Sequence, residues 1–281
     1  MNKKLKLIGY PFSPYVRKVI FALEYKGLEY KHDPIVPFIE REKVLQYNKQ
    51  GSVPILLIDG EPLTESSEIC KWLDEYTGNN FLFPEDEMEL TKVQEIEQWA
   101  DSTLMSVFGG SMFFQKIVLP FYIGQDGNEK AFEMSKNNYA PQVLQELESL
   151  LREGEFITKE LSIADIAVSS WIRAGMLSGF EIDNTKYPKV VNYLKKVYSI
   201  PAYKKLIEKE NTLSPLSDQA ISGLLMEQGI SCARRTVTKL HDTKPNILRR
   251  RRRFWFRGES SGYGRRSFGR RHHSYQSKSH Q

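Results

Sequence analysis

The apolar residues of positions 1–77 repeat with two alternating periods, and this pattern limits the fold more than any other feature of the chain. Residues 4–8, 29–32 and 53–58 show the alternating or continuous apolar pattern of short strands. The Asp59-Gly60 pair predicts a hairpin turn after the third strand, because both residues tolerate a positive φ. The pattern therefore predicts the order β-α-β-α-β-β-α, a small mixed sheet with helices packed on it.

Three helices and a short return strand complete this first domain. The helices are predicted at residues 14–27, 38–48 and 66–76, and the return strand at residues 62–64. In the first helix, Gly27 is a typical stop signal. The apolar residues on one face of that helix are Val16, Val19, Ile20 and Leu23.

The apolar spacing then becomes helical only, which predicts an all-α domain over residues 89–206. Residues 78–88 form the linker between the two domains, and the polar residues 207–216 form a second linker. Within the all-α domain, Ser162 and Asp165 predict a helix start of the capping-box type, with Asp in place of Glu.

The charges of the chain are divided unevenly. Residues 214–281 contain 15 Lys and Arg against 4 Asp and Glu, a net charge of +11, whereas residues 1–213 contain 25 against 31, a net charge of −6. An acidic body thus carries a basic tail, and the tail is suited to a polyanionic partner.

Cysteine content and apolar runs limit the compartment. The two cysteines, Cys70 and Cys232, exclude a disulfide framework and a multi-cysteine zinc site, and they indicate a reducing compartment. No apolar run approaches the ~18–20 residues of a membrane span, and the start of the chain does not resemble a secretory signal. We expect a soluble cytoplasmic protein that binds no membrane and no metal.

Ser13 is the first candidate for chemistry. It lies where a strand leads into a helix, directly before Pro14 at the first helical position. One interpretation is a simple helix N-cap, which stabilises a helix by about 1 kcal/mol. The other is that the hydroxyl and the exposed N–H groups hold an anion such as a thiolate at the helix N-terminus.

Two further positions could bind the remainder of such a ligand. A cis bond between Val53 and Pro54 would leave the Val53 N–H and C=O free to pair with a peptide-like ligand. Glu65 and Ser66 begin the next helix, where an acid and a cap residue are common for structural reasons alone. Alternatively, they form a clamp in which Ser66 binds a carboxylate and Glu65 an ammonium group.

Over residues 3–206 the chain resembles the soluble glutathione transferases. The matching motifs are Ser13-Pro-Tyr-x-Arg-Lys-Val, Gly51-Ser-Val-Pro-Ile-Leu, the Asp59-Gly60 hairpin, Glu65-Ser66-Ser67-x-Ile69 and Ser162-Ile-Ala-Asp165. The resemblance implies an α/β thioredoxin-like domain that binds glutathione as co-substrate, an all-α domain that binds the second substrate, and a homodimer. It also implies that Ser13 activates the thiol, that Val53 and Pro54 hold the cysteinyl backbone, and that Glu65 and Ser66 hold the γ-glutamyl group.

The sequence departs from the family at two places. Many relatives have Lys where Ser52 stands, so one ligand contact is in question. Tyr10 offers a second hydroxyl near the end of the first strand, although we favour a packing role for it. Position 13 is not Cys, which argues against the thiol-disulfide exchange of the cysteine-type relatives.

Residues 217–242 form a second, unrelated pattern of two helices around Gly229. Residues 215–239 resemble the DNA-binding end of the sigma-N type bacterial sigma factor. The hallmark is the run Ala233-Arg-Arg-Thr-Val-x-Lys239, although Leu240 and His241 replace its continuation. The resemblance implies a helix-turn-helix that contacts DNA; an ordinary helical hairpin with a basic face is the alternative. The residues that would contact DNA are Arg234, Arg235, Thr236 and Lys239.

Residues 243–281 are rich in Arg, Gly, Ser and His with isolated aromatic residues, which predicts disorder. Arginines interleaved with aromatic rings bind nucleic acid by charge and stacking. A shifted reading frame after a gene fusion would produce a similar composition. His272 and His273 lack the partners of a metal site.

The sequence thus predicts an enzyme of detoxification that conjugates glutathione to an electrophilic small molecule. The alternative is a non-catalytic protein of transferase fold that acts in transcription through its DNA-binding C-terminal segment. Fold alone does not decide between them.

Overall fold

A four-stranded mixed sheet forms the first part of the fold. The structure is a computed structural model that describes residues 3–78 and 81–212. Its strands are β1 (Leu5–Ile8), β2 (Tyr30–Asp33), β3 (Ile55–Ile58) and β4 (Glu61–Thr64). Their order in the sheet is β2-β1-β3-β4, with β2 parallel to β1 and the β1–β3 and β3–β4 pairs antiparallel. The Asp59-Gly60 turn joins β3 and β4 with positive φ at both residues, as predicted.

Three helices alternate with these strands in the predicted order. They are α1 (Pro14–Tyr25), α2 (Arg41–Leu45) and α3 (Ser66–Thr77). The α2 helix is shorter than the predicted 38–48, because Val44 is its only buried residue and gives it little apolar surface to pack.

Helix α1 is buried on all sides from Val16 to Leu23, whereas the sequence predicts one apolar face. Arg17 and Lys18 are as buried as the apolar residues around them. The reason is that α1 contacts α3 on one side and α7 and α9 of the all-α domain on the other. The helix that follows Ser13 is therefore packed between α3 and the all-α domain.

Helices form the second domain within residues 81–212, apart from isolated β-bridges between residues 156 and 160. The helices are α4 (Glu87–Trp99), which continues as a π-helical segment (Ala100–Ile123), then α5 (Glu129–Met134), a π-helical turn (Ser135–Tyr139), α6 (Ala140–Leu150), α7 (Ile163–Leu177), α8 (Pro188–Ser199) and α9 (Pro201–Thr212). Helix α7 is the centre of this domain, and most of its residues are buried.

The predicted capping box at the start of α7 is present. The Asp165 carboxylate accepts hydrogen bonds from Ser162 N at 2.9 Å and from Ile157 N at 3.0 Å. Burial raises the pKa of this carboxyl, and the same backbone donors oppose the rise.

Helix α9 extends through much of the segment that was expected to be a linker. The sequence places a linker at residues 207–216, but the helix continues to Thr212. This part of the helix is polar in sequence, yet Glu210 is fully buried between two arginines. A buried ion cluster thus takes the place of an apolar face. The predictions for residues 217–242 and 243–281 lie outside the described residues.

One continuous helix, from Glu87 to Ile123, is long and apolar enough to cross a membrane by length and composition. The expectation that no segment approaches this length is therefore wrong. A third of its most apolar stretch is buried inside the protein, and core helices of soluble proteins meet the same criterion, so the helix is weak support for a span.

Candidate active site

Ser13 precedes α1 in extended conformation, with φ −70° and ψ 124°. Its N–H donates to Tyr10 O at 3.1 Å and its C=O accepts from Arg17 N at 2.9 Å. The residue is buried, with 7% of its surface exposed, yet its side chain makes no capping hydrogen bond. The helix-cap interpretation therefore does not describe this hydroxyl.

Val53 lies beside the connection that carries Ser13. A Cβ atom placed on Gly9, at the end of β1, would lie 3.2 Å from Val53 Cβ and 2.6 Å from Val16 Cγ2. Only glycine fits this position, and its φ of +146° also favours glycine. The Val53–Pro54 peptide bond is cis.

Glu65 and Ser66 lie where β4 leads into α3, with Glu65 at the N-cap position and Ser66 as the first helical residue. Glu65 is exposed, has a φ of 68° and makes no side-chain capping bond, so its carboxylate does not serve as a helix cap. Ser66 is 6% exposed. Burial, the charge of Asp101 and, to a smaller degree, the charge of Glu65 raise the pKa of Tyr15 in α1.

A buried ionic network joins the first turn of α3 to α1. Ser67 Oγ donates to Glu97 Oε1 at 2.7 Å, and the same oxygen lies 2.8 Å from Lys18 Nζ. Lys18 Nζ also lies 2.5 Å from Asp101 Oδ2, whose other oxygen accepts from Trp171 Nε1 at 2.9 Å. Burial lowers the pKa of Lys18, but these two carboxylates outweigh it and the net shift is upward. The network fixes the Glu65-Ser66 segment relative to the helix that Ser13 begins.

Tyr10 packs among aromatic rings. Its ring centroid lies 5.9 Å from that of Tyr122 and 6.3 Å from that of Phe38, and Phe38 in turn lies 6.2 Å from Phe114. Burial raises the pKa of the Tyr10 phenol above its usual value, which disfavours the phenolate. These four rings, which we call the aromatic wall, lie next to the Ser13 connection. Sequence analysis missed the wall beyond Tyr10; its only signal is the aromatic richness of residues 113–122.

Arg41 is a second residue that sequence analysis missed. A Cβ atom on Gly51 would lie 2.7 Å from Arg41 Nη1, so the exposed guanidinium lies directly over Gly51. Gly51 precedes Ser52, the position at which many relatives have Lys. In the described part of the chain Arg41 makes no ion pair. The Arg41 guanidinium thus places a positive charge beside Ser52, where many relatives have Lys.

Within residues 3–78 and 81–212, no group of three or more His, Cys, Asp or Glu side chains could hold a metal ion.

Comparison with known proteins identifies the family. Residues 7–81 match the N-terminal domain of glutathione S-transferase, and residues 113–210 match its C-terminal domain. The two matches together cover more than half of the chain, and the chain belongs to the glutathione S-transferase family of enzymes. The predicted fold and family are thereby confirmed.

Individual relatives agree with this assignment. A probable glutathione S-transferase from Glycine max is 27% identical over 61% of this chain and 72% of its own length. An uncharacterized glutathione S-transferase-like protein, YibF, from Escherichia coli K12 is 28% identical over 59% of this chain and 79% of its own. The crystal structure of a glutathione S-transferase from Rhodospirillum rubrum F11 superposes with a TM-score of 0.66 at 22% identity, and the match covers 72% of this chain and 91% of that one.

The C-terminal segment has a separate match. Residues 196–253 match the DNA-binding domain of sigma-54, which confirms the second predicted resemblance. The residues predicted to contact DNA lie outside the described part of the structure.

Proposed function

We propose that this protein conjugates the thiolate of glutathione to an electrophilic small molecule, with Ser13 as the residue that stabilises the thiolate. The observation that carries the proposal concerns Ser13. This residue directly precedes helix α1, but its hydroxyl does not cap the helix. A thiol with a pKa near ~8.5 is only a few per cent ionised at neutral pH. A hydroxyl donor and a helix N-terminus both favour the anion and therefore lower that pKa.

The remainder of glutathione has a binding group for each of its parts. The Val53 N–H and C=O pair with the cysteinyl backbone, next to Pro54. Ser66 binds the γ-glutamyl carboxylate and Glu65 the ammonium group. Arg41 supplies the positive charge for the glycyl carboxylate and replaces the Lys that many relatives have at position 52.

The electrophile binds at the aromatic wall. Phe38 is 46% exposed, and its ring packs on Tyr10 and Phe114, so it offers an apolar face near Ser13. Holding an electrophile beside the thiolate adds proximity to the stabilisation by Ser13. The site therefore favours an electrophile with an aromatic or other flat apolar group.

Two assays on the full chain test this proposal. We expect the protein to bind immobilised glutathione, to elute with free glutathione, and to accelerate thioether formation with a chlorinated nitroaromatic compound. Retention on the resin without acceleration would favour the non-catalytic alternative. Absence of both would overturn the proposal.

We further propose that the C-terminal segment binds DNA, an activity that the match of residues 196–253 to a DNA-binding domain supports. Arg234, Arg235, Thr236 and Lys239 would contact the DNA, with the arginine-rich residues 243–281 adding affinity for phosphates. Only this domain of the sigma factor is matched, so transcription initiation is not proposed. A gel-shift titration of the full chain with duplex DNA tests this activity independently of the first.

As the family implies, we propose that the protein is a homodimer and that it works in the cytoplasm, in agreement with its low cysteine content. Light scattering coupled to size-exclusion chromatography tests the first point. A monomeric mass would contradict it.

A further inference from the structure

A second buried ion cluster joins three helices beneath the Ser13 connection. Arg17 of α1 and Glu210 of α9 are both fully buried, and Arg17 Nη2 lies 2.5 Å from Glu210 Oε1. Arg173 of α7 donates to Glu210 Oε2 from Nε at 3.2 Å and from Nη2 at 3.0 Å. One carboxylate therefore serves two guanidinium groups.

Arg17 also reaches the segment that carries Ser13. Its Nε donates to Pro11 O at 3.0 Å, in a buried hydrogen bond two residues before Ser13. Arg17 Nη1 is buried without a hydrogen-bond partner among the described residues. The contact of Arg17 Nη2 with Glu210 Oε1 is an ion pair that lacks hydrogen-bond geometry. Pro11 O and Glu210 are thus the two polar groups that orient this planar guanidinium.

We propose that Arg17 is a positioning residue for Ser13 and that Glu210, in the last described turn of α9, sets the position of Arg17. Because the guanidinium is rigid, a fixed Nη2 at Glu210 also fixes the direction of Nε toward Pro11 O. The hydrogen bond then holds residues 11–13 against α1. This inference rests on the proposed role of Ser13 in thiolate stabilisation.

Glu210 thus acts on the Ser13 segment from a stretch, residues 207–212, whose sequence is typical of a linker. Arg17 differs from Arg173, because both arginines bind Glu210 but only Arg17 contacts the Ser13 segment. Loss of either should lower stability, since each leaves a buried charge with fewer partners. Only loss of Arg17 should move Ser13.

The test compares matched variants of the full chain. Arg17→Lys keeps the positive charge, but a single ammonium group cannot contact both Pro11 O and Glu210. Arg173→Lys is the control variant. We expect Arg17→Lys to lower kcat about tenfold, with KM for glutathione changed less than about twofold, because the affected contact acts on the thiolate. The pH profile of kcat should also shift toward higher pH, and this readout would not move if the variant were only less stable.

A second pair of variants keeps the proposal testable if Arg17→Lys does not fold. Glu210→Gln removes the charge that orients Arg17, and Glu208→Gln changes an exposed carboxylate in the same helix. We expect a loss of kcat and a shifted pH profile for Glu210→Gln, and neither for Glu208→Gln or Arg173→Lys. If Arg17→Lys and Glu210→Gln keep the kcat and pH profile of the wild type while Ser13→Ala is impaired, the positioning role is overturned. If Ser13→Ala is also unimpaired, the proposed function of Ser13 fails with it.

Discussion

At the scale of single residues, Ser13 differs from most serines at helix starts. Such a serine usually accepts a backbone hydrogen bond that stabilises the helix by about 1 kcal/mol. Here the side chain makes no capping bond, so its removal should affect catalysis more than folding.

We therefore expect Ser13→Ala to lower kcat by about ten- to a thousandfold, the range that follows the loss of one stabilising donor. The free energy of unfolding should change by less than about 1 kcal/mol. Steady-state conjugation kinetics and denaturant unfolding measure the two effects. Undiminished kcat would transfer the role to Tyr10 or to the backbone.

Glu65 and Ser66 should act on affinity. They hold the end of glutathione that is remote from the thiol, and contacts made equally in the ground and transition states affect KM more than kcat. We expect Ser66→Ala and Glu65→Ala to raise KM for glutathione while kcat changes little. Glu68→Ala, in the same helical turn and exposed, is the matched control and should change neither. A defect in kcat alone would contradict this assignment.

The sequence suggests these residues as candidates because they lie in short motifs next to helix starts. It did not reveal Arg41, since its place over Gly51 depends on how the chain folds back. Arg17 stands within the Ser13 motif, but neither its burial nor its pairing with Glu210 could be predicted. A buried charged residue has the same letter as a solvated one, and only packing distinguishes them.

At the scale of secondary structure, the start of α7 is the best-defined helix start in the all-α domain. Asp165 accepts two buried backbone hydrogen bonds, from Ser162 N and Ile157 N. The bond from Ile157 also ties the preceding loop to the helix.

We expect Asp165→Ala to lower the free energy of unfolding by about 2–5 kcal/mol, because it leaves two buried N–H groups without an acceptor. Asp183→Ala is the control, since Asp183 accepts similar bonds from Thr185 N and Lys186 N in an exposed loop. Its effect should be much smaller, because water replaces the lost acceptor. Equal losses in urea unfolding would show that burial of the Asp165 bonds contributes nothing.

Helix order and the hairpin were predictable from apolar spacing and turn residues, whereas several helix ends were not. Helix α2 is shorter than its pattern, and α9 is longer. In both, the length is decided by tertiary contacts: α2 has only Val44 buried, and α9 is held by Glu210 in its last turn. The apolar spacing within each helix does not show the tertiary contacts that Val44 and Glu210 make.

At the scale of the whole molecule, the charge division predicts where nucleic acid binds. Residues 1–213 carry a net charge of −6 and residues 214–281 a net charge of +11. We expect the full chain to bind duplex DNA at about 50 mM salt and residues 1–213 not to bind. Affinity should fall steeply as salt rises, because binding releases counterions from the DNA phosphates. Dimerisation would strengthen binding by presenting two copies.

Variants separate sequence preference from charge. Arg234→Ala should relax the preference for GC-containing promoter elements, whereas replacement of the arginines at 249–253 should weaken binding to all sequences alike. Gel-shift titrations measure both effects. If the full chain does not bind at low salt, the segment has no role with nucleic acid and is a remnant of gene fusion.

The most direct test of the central claim is the pKa of the glutathione thiol while it is bound to the protein. It is measured from the ultraviolet absorbance of the thiolate as pH is raised, in the wild type and in Ser13→Ala. We predict a pKa about 1–2 units below the ~8.5 of a free thiol in the wild type, and a value close to the free one in the variant. A bound thiol with the free value in the wild type, or with the same lowered value in both proteins, would contradict the role of Ser13.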